Sequence, residues 1–141
     1  MAADPTCIFC KIIAGQIPCF KVYEDDVVLA FLDIGPLVRG HTLVIPKDHH
    51  ANVMETPDAV LGAVNQRLPR IARAVLAATG TKACNILANS GSDAQQSVPH
   101  LHYHILPRQS GDAFTIPWKA GSLDKPAGVA LAAAVARAIV P

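Results

Sequence analysis

Apolar positions in the first third of the chain come in short blocks separated by turn-forming residues. Residues 7–14 mix apolar and small side chains and stop at Gly15, which predicts a short helical turn. Residues 20–23 and 27–32 are apolar, β-branched and aromatic runs flanking Glu24-Asp25-Asp26, the pattern of a hairpin. Asp33-Ile34-Gly35-Pro36 is turn chemistry, and residues 41–45 make a further strand stopped by Pro46. The period then changes. Leu61, Val64, Leu68, Ile71, Val75 and Leu76 recur at helical spacing and predict a helix over 57–78 with one apolar face. Thr56 is its expected N-cap, Pro57 its first residue, Pro69 a kink and Gly80 its end. Arg67, Arg70 and Arg73 mark its solvent side. Strands over 83–88 and 100–106 follow, separated by a loop at 89–93, and an alanine-rich helix closes the chain near 126–139. Hairpin-joined strands with a long helix between them predict a mostly antiparallel α+β fold.

Composition narrows the class. A chain of 141 residues suits one domain with a real core. The formal net charge of +1 gives no field for polymeric nucleic acid, so a nucleotide would be held by local contacts. Met1-Ala2-Ala3-Asp4-Pro5 lacks the start of a secretory signal, and the apolar tract over 129–140 is broken by Arg137 and too short to span a bilayer. A cytoplasmic protein without a membrane partner is expected. Its cysteines, Cys7, Cys10, Cys19 and Cys84, then read as thiols or metal ligands rather than disulfides.

The strongest chemical signal is His100-Leu101-His102-Tyr103-His104. On a strand the three imidazoles share one face, spaced ~6.6 Å apart, while Leu101, Tyr103 and Ile105 share the other. Three charged imidazoles in a row would repel one another, whereas neutral ones supply a nucleophile and hydrogen-bond donors together. A strand His-x-His can also offer two ligands to an open zinc site, so a metalloenzyme is the rival reading.

The run from His100 to Leu106 resembles the signature of the histidine triad (HIT) family, His-φ-His-φ-His-φ-φ with φ apolar. Cys7-Ile8-Phe9-Cys10-Lys11-Ile12-Ile13, Tyr23-Glu24-Asp25-Asp26, Phe31-Leu32-Asp33-Ile34, the segment from Gly40 to Lys47 and Gln96-Ser97-Val98 are similar to family segments in family order. The resemblance covers about residues 7–108 and is strongest to the Hint-type branch and bacterial HIT hydrolases. It implies a HIT-like fold, a five-stranded antiparallel sheet with flanking helices paired into a homodimer, in which 109–141 add a C-terminal loop and helix. It also implies a purine nucleotide hydrolase acting on AMP phosphoramidates, esters or anhydrides through a nucleotidyl-histidine intermediate. His102 would be the nucleophile; His104, His100 and Ser97 complete the catalytic set. Asp33 would bind the ribose, Ile34 and Phe9 the base, and His41, Asn89 and Gln96 the phosphate side. No cofactor is required for the chemistry. A dinucleoside polyphosphate hydrolase, or a zinc- and nucleotide-binding interaction protein with incidental turnover, is the alternative.

Two departures from the family pattern stand out. Gln95 occupies a position where the family usually has glycine, and Pro99 one where it often has an aromatic residue. A glutamine pays a penalty wherever φ is positive, so the phosphate-side loop is expected to differ. Cys7-x-x-Cys10, with His100 and either His49 or His50, could form a closed Cys₂His₂ zinc site, structural rather than catalytic.

Overall fold

The computed structural model describes residues 2–140. Its sheet has five strands in the order β1-β2-β3-β5-β4, every neighbouring pair antiparallel: β1 (Lys21–Glu24), β2 (Val28–Leu32), β3 (Thr42–Pro46), β4 (Ala83–Leu87) and β5 (Tyr103–Arg108). Both faces of the central strands are covered, so β2 reads as a continuous apolar run instead of an alternating one. Val28, Ala30, Val44 and Ile105 pack against Val64, Leu68, Ile71, Ala72 and Val75 on one face. Leu29, Phe31, Leu43 and Ile45 pack against Cys7, Phe9 and Cys10 of the N-terminal α1 (Ile8–Ile13) on the other.

The helix expected over 57–78 is two helices, α2 (Asp58–Asn65) and α3 (Leu68–Thr79). Pro69 sits in the first turn of α3, where its missing N–H costs nothing, so it starts a helix rather than kinking one. Thr56 does not cap α2. It closes a 3₁₀ turn at Val53–Glu55, its hydroxyl donating to the Asn52 carbonyl, and Asn52 caps that turn. Arg67 does not face solvent with the exposed Arg70 and Arg73; its Nε donates to Asp25 at 2.7 Å. Asp25 also accepts from the Val27 and Val28 amides and the Tyr23 hydroxyl, so it ties the β1–β2 hairpin to α3.

The strand expected from 100 begins instead at Tyr103. Continuing the β3–β5 register beyond Val44–Tyr103 would bring Pro46 opposite Leu101, and proline has no N–H to donate. Beyond β5 the chain runs through an exposed segment carrying Trp118 to α4 (Lys125–Ala138), which buries no residue. No helix among the described residues is long and apolar enough to cross a membrane.

Candidate active site and metal centre

Asp33 follows β2 and His41 precedes β3, joined by the Asp33 N–H donating to the His41 carbonyl at 2.9 Å. His104 lies in β5 between Leu43 of β3 and Leu87 of β4, so the ladder holds it on both sides. His102 is in the extended lead-in to β5, and its ring lies 4.9 Å from that of His104. His100, His102 and His41 are buried and His104 is half-buried, and burial pushes all four imidazoles below the ordinary histidine range. His104 falls to about 4, burial being reinforced by the neighbouring His102 and His41. For His41 the Asp33 carboxylate, 3.6 Å from Nε2, opposes the burial effect without cancelling it. The triad is therefore neutral at pH 7.

Backbone groups fix the tautomers of His41 and His102, and His41 passes its own on to His104. The Leu37 N–H donates to His41 Nδ1 at 3.2 Å, so the His41 proton sits on Nε2. That Nε2–H donates to His104 Nδ1 at 2.8 Å, which leaves the His104 proton on Nε2. His104 Nε2 is buried and has no partner among the described residues. In His102, Nδ1–H donates to the His100 carbonyl at 2.7 Å, so the lone pair is on Nε2. A free lone pair on His102 thus stands beside an unspent donor on His104.

Next to this pair is an apolar cavity of about 150 Å³. Phe9, Cys19, Phe31, Asp33, Ile34 and Leu43 are among its walls. Ile34 is exposed at its mouth, while Phe9 is a buried core ring whose edge meets His100 and His102. The structure thus brings Asp33, Ile34 and Phe9 together with the triad.

Gln96 is placed differently. Its amide donates to the Ala51 and Val98 carbonyls and its oxygen accepts from the Gly91 N–H, so it ties the loop together. Ser97 is exposed in that loop, and Asn89 is half-buried just past the end of β4. Gln95 adopts φ 65°, the left-handed conformation a glycine would take, so the loop keeps this turn and glutamine carries its strain.

Cys7, Cys10, His49 and His100 converge from α1, the segment after β3 and the lead-in to β5, with ligand atoms all within 4.8 Å of one another. His49 is the member of the adjacent pair that enters the cluster. His49 Nδ1 and His100 Nδ1 are 3.2 Å apart, and the sulfur–nitrogen distances Cys10–His49, Cys7–His100 and Cys10–His100 are 3.4, 3.5 and 3.6 Å. Edges of a tetrahedral zinc site are about 3.3 Å between two nitrogens and about 3.6 Å between nitrogen and sulfur, so the group fits such an ion. The His100 Nε2–H donates to the Pro46 carbonyl at 2.9 Å and turns Nδ1 into the cluster. The Asp4 N–H points at Cys10 Sγ from 3.4 Å.

The contributions of Leu37, Pro46 and Asp4 come from backbone groups, which side-chain patterns do not reveal. Asp33, His41 and His104 form a second compact group, but there the nitrogens already share a proton. A cation on His41 Nε2 would move that proton to Nδ1, against the Leu37 N–H.

A five-stranded α+β fold with a neutral, tautomer-locked histidine pair beside an apolar cleft defines the class: a site built on paired histidines. The HIT domain family matches residues 14–111, and the chain belongs to the HIT family. Protein hit of Bacillus subtilis is 51% identical over 120 residues, 84% of this chain and 83% of its own. An adenylylsulfatase of Arabidopsis thaliana, HINT3, is 45% identical over 117 residues, 83% of this chain but 58% of the longer plant protein. Adenosine 5′-monophosphoramidase hnt1 of Schizosaccharomyces pombe is 43% identical over 103 residues, 73% of this chain and 74% of its own. Among solved structures, a HIT family member from Bacillus subtilis superposes with TM-score 0.90 at 44% identity, covering 96% of this chain and 99% of its own. A zinc-bound histidine triad protein from Mycobacterium smegmatis superposes with TM-score 0.74 at 37% identity, covering 94% and 95%.

Proposed function

We propose that this chain hydrolyses a purine nucleoside 5′-monophosphate joined to a leaving group through nitrogen or oxygen. The observation that carries the reading is the tautomer lock: His102 offers an Nε2 lone pair and His104 an unpartnered Nε2–H. His102 Nε2 attacks the α-phosphorus and a P–N bond forms. The bond to the leaving group breaks, and its electron pair leaves with it and takes up a proton, which the water of the second step replaces. Water then attacks the adduct, breaks the P–N bond and releases the monophosphate, so one difficult displacement becomes two easier ones. His104 donates to a phosphate oxygen as charge accumulates there. Asp33 accepts hydrogen bonds from the ribose hydroxyls, and the apolar cavity with Ile34 and Phe9 takes the base. Asn89 and Ser97 face the phosphate and the leaving group, and His41 holds His104 in its donor tautomer. Gln96 shapes the loop rather than touching the nucleotide. Adenylylsulfatase and adenosine 5′-monophosphoramidase relatives support an AMP half with a variable leaving group.

Zinc in the Cys7–Cys10–His49–His100 cluster would be structural, because four protein ligands leave no position for water or substrate. The zinc-bound mycobacterial relative supports this metal. A homodimer is the assembly this reading expects, in one cytoplasmic catalytic domain. Sedimentation velocity would test it: a monomer at micromolar concentration rejects it.

Single-turnover labelling with an adenylyl phosphoramidate tests the mechanism. The wild type should form an acid-labile adduct that His102→Ala lacks. A wild type that turns over without any such adduct overturns the mechanism. Comparing kcat/KM for a purine phosphoramidate and diadenosine polyphosphates then identifies the leaving group.

A further inference from the structure

The candidate nucleophile stands outside the sheet. Ladder pairing ends at Val44–Tyr103, and beyond it His100 meets β3 through its ring, whose Nε2–H donates to the Pro46 carbonyl. What else fixes residues 100–102 leads to the Cys–His cluster. The ring of His100 enters the cluster through Nδ1, between Cys7, Cys10 and His49. The carbonyl of the same residue accepts the His102 Nδ1–H at 2.7 Å. The Leu101 N–H donates at 2.7 Å to the carbonyl of His50, the residue after His49. Phe9, between the two cysteines in sequence, sets its ring edge-on to His100 at 5.8 Å and to His102 at 5.1 Å. The His100 carbonyl, the His50 carbonyl and the Phe9 ring thus tie the nucleophile to the cluster's own segments. A cleft of about 240 Å³ reaches Cys10 past Asp4 and Lys11, giving the cluster a path to solvent away from the base cavity.

We propose that Cys7, Cys10 and His49 are positioning residues for the chemical step: by holding a metal with His100 they fix the His100 carbonyl, which in turn fixes the tautomer and direction of His102. The proposal rests on His102 being the nucleophile. The metal touches neither substrate nor reacting atoms. Without a cation, the two imidazole nitrogens and two sulfurs lose the centre that holds them at 3.2–3.6 Å and are left with weaker thiol and imidazole hydrogen bonds. His100 then moves, and its carbonyl moves with it. A shift of ~1 Å at a reacting centre can cost ~10²-fold in rate, and loss of a supporting partner 10–100-fold, so this coupling is large enough to measure.

The test compares wild type, Cys10→Ala and Cys10→His, all full length and purified in the presence of zinc, with the bound metal measured for each. Nitrogen-15 NMR of the His102 ring reads its tautomer without turnover. Single-turnover adenylylation from adenosine 5′-phosphoramidate reads the chemical step, and AMP titration reads binding. Cys10→Ala should mix the two His102 tautomers and slow adenylylation by roughly 10–100-fold, with AMP affinity changed less than about threefold. Cys10→His, which restores a ligand, should recover both the tautomer and most of the rate. Should Cys10→Ala not fold, His49→Ala takes its place, and stepwise chelation of the wild type under circular dichroism separates loss of metal from loss of fold. The proposal is overturned by a folded, zinc-free protein with the native His102 tautomer and native adenylylation rate. It is equally overturned if the loss lies in AMP affinity while the tautomer is unmoved. A wild type that forms no adduct rejects the hydrolase reading instead, and the NMR result still stands on its own.

Discussion

The Cys7–Cys10–His49–His100 group and the Asp33–His41–His104 group are compact clusters of metal-binding residue types, and they are wired in opposite senses. In the first, Pro46 takes the His100 ring proton outward and turns the lone pair in, so the group presents its donor atoms to a cation. In the second, Leu37 drives a proton inward, from His41 to His104, so the group already holds what it needs. The same side chains become metal ligands or hydrogen-bond donors according to which backbone group meets the far nitrogen. The His100–His104 run spans both. His100 belongs to the first cluster, His104 to the second, and His102 is oriented by one while facing the other.

This contrast can be attacked most severely at His102. His102→Ala should cut single-turnover adenylylation by about 10⁴-fold or more while AMP binding persists, because the ring lone pairs of His41, His104 and His100 are already directed to Leu37, His41 and the Cys–His cluster. Zinc withdrawal should remove stability on the scale of several kcal/mol, since binding energy in a closed Cys₂His₂ site is folding energy; thermal melts with and without chelator measure it. Removing the second cluster's donor by His104→Ala should cost about 10²–10³-fold in the chemical step, and the thermal midpoint should shift far less than on chelation.

Acid acts on both clusters, since burial lowers His100 and His104 alike to about 4, and a substitution singles out the second. His104 has a folded pKa of about 4 against an ordinary 6.5, so between those values the unfolded chain binds more protons and stability falls as pH falls. The contribution is whole above pH 6.5 and gone below about 4. His104→Gln should flatten that part of a plot of melting temperature against pH; an unchanged slope would assign the acid sensitivity elsewhere. The smallest effect lies outside both clusters. Gln95→Gly should stabilise the protein by up to about 1 kcal/mol in urea unfolding, relief of the left-handed strain being partly offset by glycine's greater freedom when unfolded.

Much of this architecture is legible in the residues. The α3 stripe of Leu68, Ile71 and Val75 is buried as its spacing requires, and Gly80 ends the helix in the left-handed conformation. The strand runs locate β1 to β4 within a residue or so. Which face of β2 meets which layer is not legible, because both layers are apolar. The start of β5 is missed because His100-Leu101-His102 alternates the same way whether or not a neighbour pairs with it. That depends on Pro46, remote in sequence. Thr56 and Asn52 are equally good caps by type, and the 3₁₀ turn between them decides. Asp33 and His41 are recognisable as residues, but the His41 tautomer comes from a main-chain amide four residues before it.

Half of the fourteen residues of α4 are alanine, and none is buried. Its helical state within one chain therefore rests on local propensity and on the Asp124 cap, whose carboxylate accepts from the Ala127 amide at 3.2 Å. Heat should then act on the molecule twice. A shallow, non-cooperative loss of helical signal from 125–138 should precede the cooperative collapse of the sheet, appearing in circular dichroism as a sloping baseline rather than a second transition. A flat baseline would mean that a surface outside this chain covers the helix, and the slope would then return on dilution.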